Sequence, residues 1–220
     1  MRTHTTLLGC LALMLWAAPG QAAGSRSEKE HTMSTPGTES IFFGAGCFWC
    51  TEAAFALVPG VSAVTVGYQG GSTPDPSYHQ VCSGSSGHAE VARVDYDPSG
   101  TNLDQLFDVF WTVHDPTTLN RQGADVGTQY RSVIFPHTGE QRRVAEEMKA
   151  ALDASGAFPA PIVTSLEPLG AFHPAESYHH DYYARNGSQG YCAYVIAPKL
   201  EKFRKAFADR LKPSGDEAAG

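Results

Sequence analysis

The chain has 220 residues, of which 42% are hydrophobic, and a formal net charge of −7 at pH 7. This length and apolar content are sufficient for one domain with a sizeable core and short appendages. The negative net charge argues against nucleic-acid binding. The basic residues do not form one large cluster but occur mainly on two predicted helical faces, at Arg142-Arg143 and at Lys199–Lys205.

The first 23 residues have the pattern of a secretory signal peptide. Arg2 precedes the apolar run Leu7–Ala18, and small residues suited to cleavage follow, ending at Ala22 and Ala23. Because this run is too short to span a bilayer permanently, the sequence predicts a soluble, exported protein of the bacterial periplasm without a stable membrane association. A lipid-anchored form and a retained membrane anchor are the second and third alternatives.

The predicted folded domain covers residues 40–212, between a linker (24–39) and a disordered acidic tail (213–220). The linker prediction rests on charged, Ser- and Thr-rich sequence without a hydrophobic period. Alternating or clustered apolar residues predict strands at 41–43, 61–69, 88–96, 130–135, 162–166 and 191–196. Helical spacing predicts a helix directly after Cys47 and further helices or helical turns at 77–84, 103–111, 139–154, 178–184 and 200–211.

Strands and helices thus interleave along the domain, with irregular stretches between them. The sequence predicts an α+β fold, a sandwich of helices on a small mixed sheet, with a long irregular segment toward the C-terminus. No internal repeat is visible. The polar segment 117–128 is long for a connection, which favours a functional role. Nothing in the sequence signals an oligomer, so a monomer is the default expectation.

The most informative feature is a cysteine between glycines and a helix. Gly44 and Gly46 follow the apolar run Ile41–Phe43, and apolar positions at helical spacing follow Cys47. Because glycines allow a sharp bend, Cys47 is expected at a helix N-terminus, where unpaired N–H groups favour negative charge and lower the pKa of a thiol. This location predicts a nucleophile. The alternative is a buried structural cysteine.

A nucleophilic thiol that attacks a bound electrophile requires a proton donor. Glu90 is a lone acid in an apolar strand, where burial would raise its pKa and keep it protonated; the alternative is a solvent-facing strand carboxylate. Tyr78 and Tyr130 adjoin polar loops, so each phenol could donate a hydrogen bond into the same cleft or simply pack. Asp125 lies in the long loop, where it could orient a partner or cap the loop.

Four short segments carry a resemblance to a known family. They are 46–49 (Gly-Cys-Phe-Trp), 87–90 (Gly-His-Ala-Glu), 114–117 (His-Asp-Pro-Thr) and 125–132 (Asp-Val-Gly-Thr-Gln-Tyr-Arg-Ser). In this order and spacing they resemble the peptide methionine sulfoxide reductases of type A, from about residue 40 to residue 211. One such segment is weakly specific, whereas four in order are highly specific. The resemblance implies a ferredoxin-like α/β sandwich.

The resemblance also implies a reaction and the residues that perform it. By analogy, Cys47 attacks the sulfur of methionine sulfoxide while Glu90, Tyr78 and Tyr130 hold and protonate the oxygen. Methionine is released and a sulfenic acid remains on Cys47. The activity would repair methionine, free or in proteins, after oxidative stress, and a preference for the S epimer is expected because one enzyme serves each epimer.

Further residues are implied to bind the substrate. Phe48 and Trp49 would form an apolar wall for the methyl group of the sulfoxide, and Asp125 would belong to the polar rim. The resemblance implies no prosthetic cofactor and no metal; a thioredoxin-type reductant would supply the electrons.

A sulfenic acid must be resolved by a second thiol. Cys192, in a glycine-rich segment that would be flexible enough to approach Cys47, matches the position of a resolving cysteine in the family. Cys50 departs from the family pattern, which more usually has glycine there, and its spacing from Cys47 is that of thiol–disulfide oxidoreductases, so Cys50 is the competing candidate. Cys82 is expected to be a small buried residue.

Two other functions compete with the reductase. The first is a CxxC thiol–disulfide oxidoreductase, in which Cys47 and Cys50 form the redox pair, although the bulky aromatic pair between them argues against it. The second is a metal-binding module that uses the same cysteines and some of the nine histidines. The adjacent His179 and His180 are a weak ligand pair, because neighbouring residues of a helix point apart.

Overall fold

The computed structural model describes residues 37–212. The strands in this part of the chain are β1 (Glu39–Ala45), β2 (Val61–Gln69), β3 (Ala89–Tyr96), β4 (Arg121–Gln122), β5 (Asp125–Val126), β6 (Ser132–Phe135), β7 (Ser165–Leu166) and β8 (His173–Pro174). The α-helices are α1 (Phe48–Phe55), α2 (Tyr78–Cys82), α3 (Leu103–Val113), α4 (Gly139–Ser155), α5 (Tyr182–Asn186) and α6 (Ala197–Ala206). None of the helices in residues 37–212 is long and apolar enough to cross a membrane.

Six of the strands form one mixed sheet in the order β7-β6-β1-β3-β2-β8. The central strand β3 pairs antiparallel with both β1 and β2, and β6 and β8 extend the sheet antiparallel on either side. Only β7 runs parallel to its neighbour, β6. The short strands β4 and β5 form a separate hairpin.

The larger hydrophobic core lies between the sheet and the helices α1, α3 and α6. Phe43 of β1 is fully buried and stacks on Phe55 of α1 and Phe110 of α3, with ring centroids 5.1 and 4.9 Å apart. Phe203 of α6 belongs to the same buried cluster. On the opposite face of the sheet, Phe172 from an irregular segment packs on a smaller apolar cluster. The predicted α+β sandwich with a mixed sheet is confirmed.

Helix ends follow their capping residues. The side chain of Asn102, predicted to lie near the start of α3, accepts a hydrogen bond from the N–H of Gln105 at 2.9 Å, and the Gln105 side chain accepts in return from the Asn102 N–H. The side chain of Thr138 caps α4 by accepting from the N–H of Gln141 at 3.1 Å, and the left-handed Gly156 ends the helix. The predictions for 103–111 and 139–154 are thus confirmed within two residues.

The predicted strand at 191–196 is wrong. Residues Cys192–Ile196 form a π-helical turn that continues directly into α6. Cys192, Ile196, Leu200 and Phe203 are all buried, so the inward-facing positions are spaced by four, four and three residues. The buried positions therefore have helical spacing, and an apolar run of six residues is too short to distinguish a strand from a buried helix.

Other boundaries also differ from prediction. Residues 130–135 divide into a 3₁₀ turn (Thr128–Tyr130) and β6, and only Ser165–Leu166 of the predicted strand 162–166 pairs. The predicted helix at 178–184 is a 3₁₀ turn followed by α5, separated at Asp181, whose φ is +50°. The predicted signal peptide, residues 24–36 of the linker and the predicted tail lie outside the described residues, and Glu39, assigned to the linker, already belongs to β1.

Candidate active site

Cys47 lies at the junction of β1 and α1, where it is the N-cap residue of the helix. Its carbonyl accepts hydrogen bonds from the N–H groups of Cys50 (3.1 Å) and Thr51 (3.3 Å), which close the first helical turn. Gly46 makes the bend: its φ is +88°, and a Cβ at this position would lie 2.6 Å from side-chain carbons of Gln122. Only glycine meets both conditions, and the predicted bend into a helix at Cys47 is confirmed.

The carboxyl group of Glu90 lies at the N-terminus of α1. Glu90 belongs to β3 and is 2% exposed, and its Oε2 accepts a 3.0 Å hydrogen bond from the N–H of Phe48. Burial raises the pKa of this carboxyl well above its usual value, and a negative charge on Cys47 would raise it further. Glu90 is therefore a neutral acid beside the cysteine, and the alternative of a solvent-facing carboxylate is wrong.

The phenol groups of Tyr78 and Tyr130 lie near enough to Glu90 for its charge to affect their pKa values. Tyr78 begins α2, and its N–H donates a 2.9 Å hydrogen bond to Oε1 of Glu176. Tyr130 ends a 3₁₀ turn just before β6. Burial raises the pKa of both phenols above the usual value, and a negative charge on Glu90 would raise each of them further. Both hydroxyl groups therefore stay protonated at neutral pH and can donate hydrogen bonds.

Tyr191 joins the site from the start of the C-terminal helix, and the sequence analysis missed it. Its hydroxyl donates a 2.8 Å hydrogen bond to Oδ2 of Asp125 on β5. This hydroxyl also lies near the thiol of Cys47. The one sequence signal for Tyr191 is its position next to Cys192.

Aromatic rings surround the first turn of α1. Phe48 is 1% exposed and packs against Tyr68 and His179. Trp49 is half-buried and stacks almost parallel on Tyr182, with ring centroids 3.8 Å apart. Within the described residues, neither ring nitrogen of His179 has a hydrogen-bond partner, and the indole N–H of Trp49 has none. His179 and Tyr182 were not predicted as site residues.

Glu52 attaches the C-terminal segment to α1. Its side chain is buried, and its two oxygens accept hydrogen bonds from the N–H groups of Asp181 (2.9 Å) and Tyr182 (3.3 Å). These bonds hold Tyr182 where it stacks on Trp49. The sequence analysis missed Glu52 because its partners lie about 130 residues away in the chain.

Three cysteines lie in one buried cluster, and all are in the free thiol form. Cys50 lies one helical turn after Cys47, and its N–H donates a 3.1 Å hydrogen bond to the Cys47 carbonyl. Cys192 is fully buried in the π-helical turn of the C-terminal helix, close enough for a negative charge on Cys47 to raise its pKa. In residues 37–212, no three potential metal ligands are arranged to hold an ion.

The comparisons with known proteins agree with this geometry. Residues 39–211 match the family model described as peptide methionine sulfoxide reductase. The chain belongs to this family. A curated relative, peptide methionine sulfoxide reductase MsrA of Chromobacterium violaceum, is 54% identical over 174 residues, which are 79% of this chain and 99% of that protein.

Solved structures give the same result. Methionine sulfoxide reductase A of Corynebacterium diphtheriae is 38% identical with a TM-score of 0.64, over 73% of this chain and 80% of the other. Mxr1 of Saccharomyces cerevisiae in its reduced form is 34% identical with a TM-score of 0.65, over 72% and 91%.

Several predictions are confirmed by membership of the peptide methionine sulfoxide reductase family. The resemblance, the ferredoxin-like α/β class and the enzymatic activity, thiol-dependent reduction of methionine sulfoxide, all agree with the comparisons. The chain is an oxidoreductase, and neither a CxxC disulfide oxidoreductase nor a metal-binding module describes its family.

Three features of the cysteines differ from expectation. Burial raises the pKa of the Cys47 thiol and so opposes the lowering expected from the helix N-terminus. Cys192 lies in a helix rather than in a flexible segment. Cys82 is exposed, because the five-residue helix α2 presents it on its outer side.

Proposed function

We propose that this enzyme reduces the S epimer of methionine sulfoxide, free and in oxidised proteins, to methionine. The observation that carries the proposal is the 3.0 Å hydrogen bond between the N–H of Phe48 and Oε2 of Glu90, which holds a neutral acid beside Cys47. Sulfoxide reduction requires a thiol that attacks the sulfur and an acid that protonates the departing oxygen. The site contains both groups.

In the proposed first step, the sulfur of Cys47 attacks the sulfur of the substrate. Glu90 protonates the sulfoxide oxygen, and the hydroxyl groups of Tyr78 and Tyr130 hold that oxygen by hydrogen bonds. The N-terminus of α1 favours the thiolate of Cys47 against the effect of burial. In sum, one thiol and one sulfoxide give one thioether and one sulfenic acid, and the proton of the thiol ends on the sulfenic oxygen.

The substrate methyl group is proposed to contact an apolar wall formed by Phe48 and Trp49. Tyr182 stiffens this wall, since it stacks on Trp49, and Asp125 contributes to the polar rim through its bond to Tyr191. Stacked rings exclude water, which strengthens the hydrogen bonds made to the sulfoxide oxygen.

The second half of the reaction is proposed to use thiols alone, without a prosthetic group. A second thiol of the chain, Cys192 or Cys50, condenses with the sulfenic acid on Cys47 and releases water. A thioredoxin-type protein then reduces the resulting disulfide. Both candidate thiols share the buried cluster with Cys47.

Cys47→Ser tests the first half-reaction. We expect this variant to form no methionine from methionine S-sulfoxide, whereas the native enzyme forms at least one equivalent in a single turnover without added reductant. Glu146→Gln, on the exposed face of α4, is the control. Methionine production by folded Cys47→Ser would refute the proposed reaction.

The cellular location and the oligomeric state of the protein are further proposals. The pattern of residues 1–23 supports export to a periplasm, and a monomer is proposed because no sequence feature signals assembly. Cell fractionation, with determination of the N-terminus of the mature protein, tests export. We expect the mature protein to begin near residue 24. Light scattering of the purified protein tests the second.

A further inference from the structure

Tyr78, one of the two phenols proposed to hold the sulfoxide oxygen, belongs to a helix that cannot hold its position alone. α2 has only five residues, and an isolated helix of this length is not stable in water. Its one buried side chain is that of Val81. At its C-terminus, Nε2 of Gln129 donates a 3.4 Å hydrogen bond to the carbonyl of Cys82. The position of the Tyr78 phenol therefore depends on what holds the N-terminus of α2.

The carboxylate of Glu176 holds that N-terminus. Oε1 of Glu176 accepts a 2.9 Å hydrogen bond from the N–H of Tyr78, and Oε2 accepts a 2.9 Å hydrogen bond from the hydroxyl of Tyr68. Tyr68 lies on β2 and is fully buried. The two oxygens of one side chain thus join the first residue of α2 to a fixed group of the main sheet, although Glu176 lies 98 residues after Tyr78 in the chain.

The main chain of Glu176 is fixed on both sides. Strand β8, just before it, pairs with β2, and the N–H of the buried Ala175 donates a 2.9 Å hydrogen bond to the carbonyl of Val66 on β2. The carbonyl of Glu176 accepts a 2.9 Å hydrogen bond from the N–H of His179, whose ring packs on that of Tyr78 with centroids 4.5 Å apart. Because the main chain is held, the length of the Glu176 side chain sets the distance between β2 and the start of α2.

We propose that Glu176 is a positioning residue for sulfoxide reduction, because its side chain places the Tyr78 hydroxyl where it hydrogen-bonds the sulfoxide oxygen. This inference rests on the proposed function, in which Tyr78 holds that oxygen while Glu90 protonates it. Glu176 does not touch the substrate and acts only through the N–H of Tyr78. The length of its side chain and its ability to accept a hydrogen bond therefore matter, whereas its negative charge does not.

Two substitutions separate length from charge. Glu176→Asp keeps the charge but withdraws the carboxylate by about 1.5 Å, the length of one C–C bond. From a fixed main chain, this carboxylate cannot reach both the N–H of Tyr78 and the hydroxyl of Tyr68, so α2 shifts or loses its bond. Glu176→Gln removes the charge but keeps the length. Its amide oxygen can accept from Tyr78 and its NH₂ group can donate to Tyr68, since a phenol oxygen accepts as well as donates.

Single-turnover formation of methionine from saturating methionine S-sulfoxide by the full-length enzyme measures the consequence. We expect Glu176→Asp to be about tenfold to 100-fold slower than the native enzyme and Glu176→Gln to stay within about threefold of it, because a displacement of about 1 Å in an active site costs up to about 100-fold in rate. Glu146→Asp, at an exposed position of α4, is the matched control. A native rate in Glu176→Asp, or an equal loss in the Asp and Gln variants, would overturn the proposal.

A double-mutant cycle shows whether the loss passes through Tyr78. Tyr78→Phe lacks the hydroxyl, so in that background we expect Glu176→Asp to cause less than about a threefold further loss. A loss of the same size in both backgrounds would show that Glu176 does not act through Tyr78, and circular dichroism confirms that each variant is folded. Failure of the proposed function is distinct, because the native enzyme would then form no methionine or Tyr78→Phe alone would keep the native rate.

Discussion

Oε2 of Glu90 accepts a 3.0 Å hydrogen bond from the backbone N–H of Phe48, so an acid on the central strand is attached to the first turn of α1. This bond occupies one carboxyl oxygen and leaves the proton to Oε1. Burial raises the pKa and keeps the group neutral before reaction. The same N–H group and the helix N-terminus stabilise the carboxylate once its proton has left.

The first prediction concerns the proton donor. Glu90→Gln keeps an oxygen that can accept from Phe48 but has no acidic proton, so we expect methionine formation in a single turnover to slow about 100-fold or more. The pKa of Glu90 is raised, which means that the acid is present at neutral pH and lost as the pH rises through that pKa. The native rate should therefore decline at alkaline pH, and the variant should lack this decline.

Quenched-flow measurement of methionine from neutral to alkaline pH checks both expectations. Glu140→Gln, on the exposed first turn of α4, is the control and should show the native pH profile. A Glu90→Gln enzyme with the native rate at every pH would show that another group protonates the oxygen.

The second prediction concerns the bend before the nucleophile. Gly46 has a φ of +88°, and a Cβ would meet the side chain of Gln122 at 2.6 Å. We expect Gly46→Ala to lower the free energy of unfolding by about 1–2 kcal/mol or more, since the left-handed backbone disfavours a Cβ. Displacement of Cys47 should slow the first half-reaction by about tenfold to 100-fold.

Urea unfolding and single-turnover rates measure these effects. Gly139→Ala is a matched control, because no atom lies within 4 Å of a Cβ at Gly139 and its φ is not in the left-handed region. If Gly46→Ala had the stability and rate of the control, the bend would not position the nucleophile.

The sequence carried enough information for the main elements because their signals are local. Glycine before Cys47, the alternation through β3 and the capping residue Asn102 each act within a few residues, and the three elements predicted from these signals, α1, β3 and α3, are present. The neutral state of Glu90 was also foreseeable, because a lone acid in an apolar strand is buried when both faces of that strand are covered.

The parts that could not be predicted depend on contacts across the chain. In the sequence, Glu52 has the pattern of a surface residue of a helix. The N–H groups that donate hydrogen bonds to its carboxylate lie about 130 positions later in the chain. Tyr191 acts through Asp125, 66 residues before it. The pKa of Cys47 depends on the competition between the helix N-terminus and burial, and the extent of burial follows from packing of the C-terminal helix, which the sequence pattern misrepresented as a strand.

The third prediction concerns the anchor of the C-terminal segment. In Glu52→Gln, the amide oxygen can accept from only one of the N–H groups of Asp181 and Tyr182, and the other donor loses its partner. We expect a loss of about 1–3 kcal/mol in the free energy of unfolding. Because Tyr182 would no longer be held against Trp49, KM for a sulfoxide peptide should rise. Denaturant titration and steady-state kinetics measure the two effects.

Glu146→Gln, which removes only an exposed i,i+4 pair with Arg142 on α4, is the control and should change stability by less than about 0.5 kcal/mol. A rise in KM without any loss of stability in Glu52→Gln would mean that the carboxylate contacts the substrate instead of anchoring the segment.

The fourth prediction concerns stability in acid and His114, which is buried at the end of α3. Its Nδ1–H donates to the carbonyl of Phe110 at 2.7 Å, and its Nε2 accepts from the hydroxyl of Ser132 at 2.7 Å, so both nitrogens are satisfied in the neutral ring. Burial lowers the pKa of His114 to about 4. In the unfolded chain the ring takes up a proton near pH 6.5.

The folded state therefore binds fewer protons than the unfolded state between about pH 6.5 and about pH 4, and stability must fall as the pH decreases through this range. The full effect is roughly 3 kcal/mol for a shift of this size.

We expect His114→Gln to be less stable than the native protein at neutral pH, because the buried network with Ser132 is disturbed, but to lose less stability on acidification. Urea unfolding at neutral pH and near pH 5 measures the difference, and His137→Gln, at an exposed position, is the control. An acid-induced loss in His114→Gln equal to that of the native protein would assign the acid sensitivity to other groups.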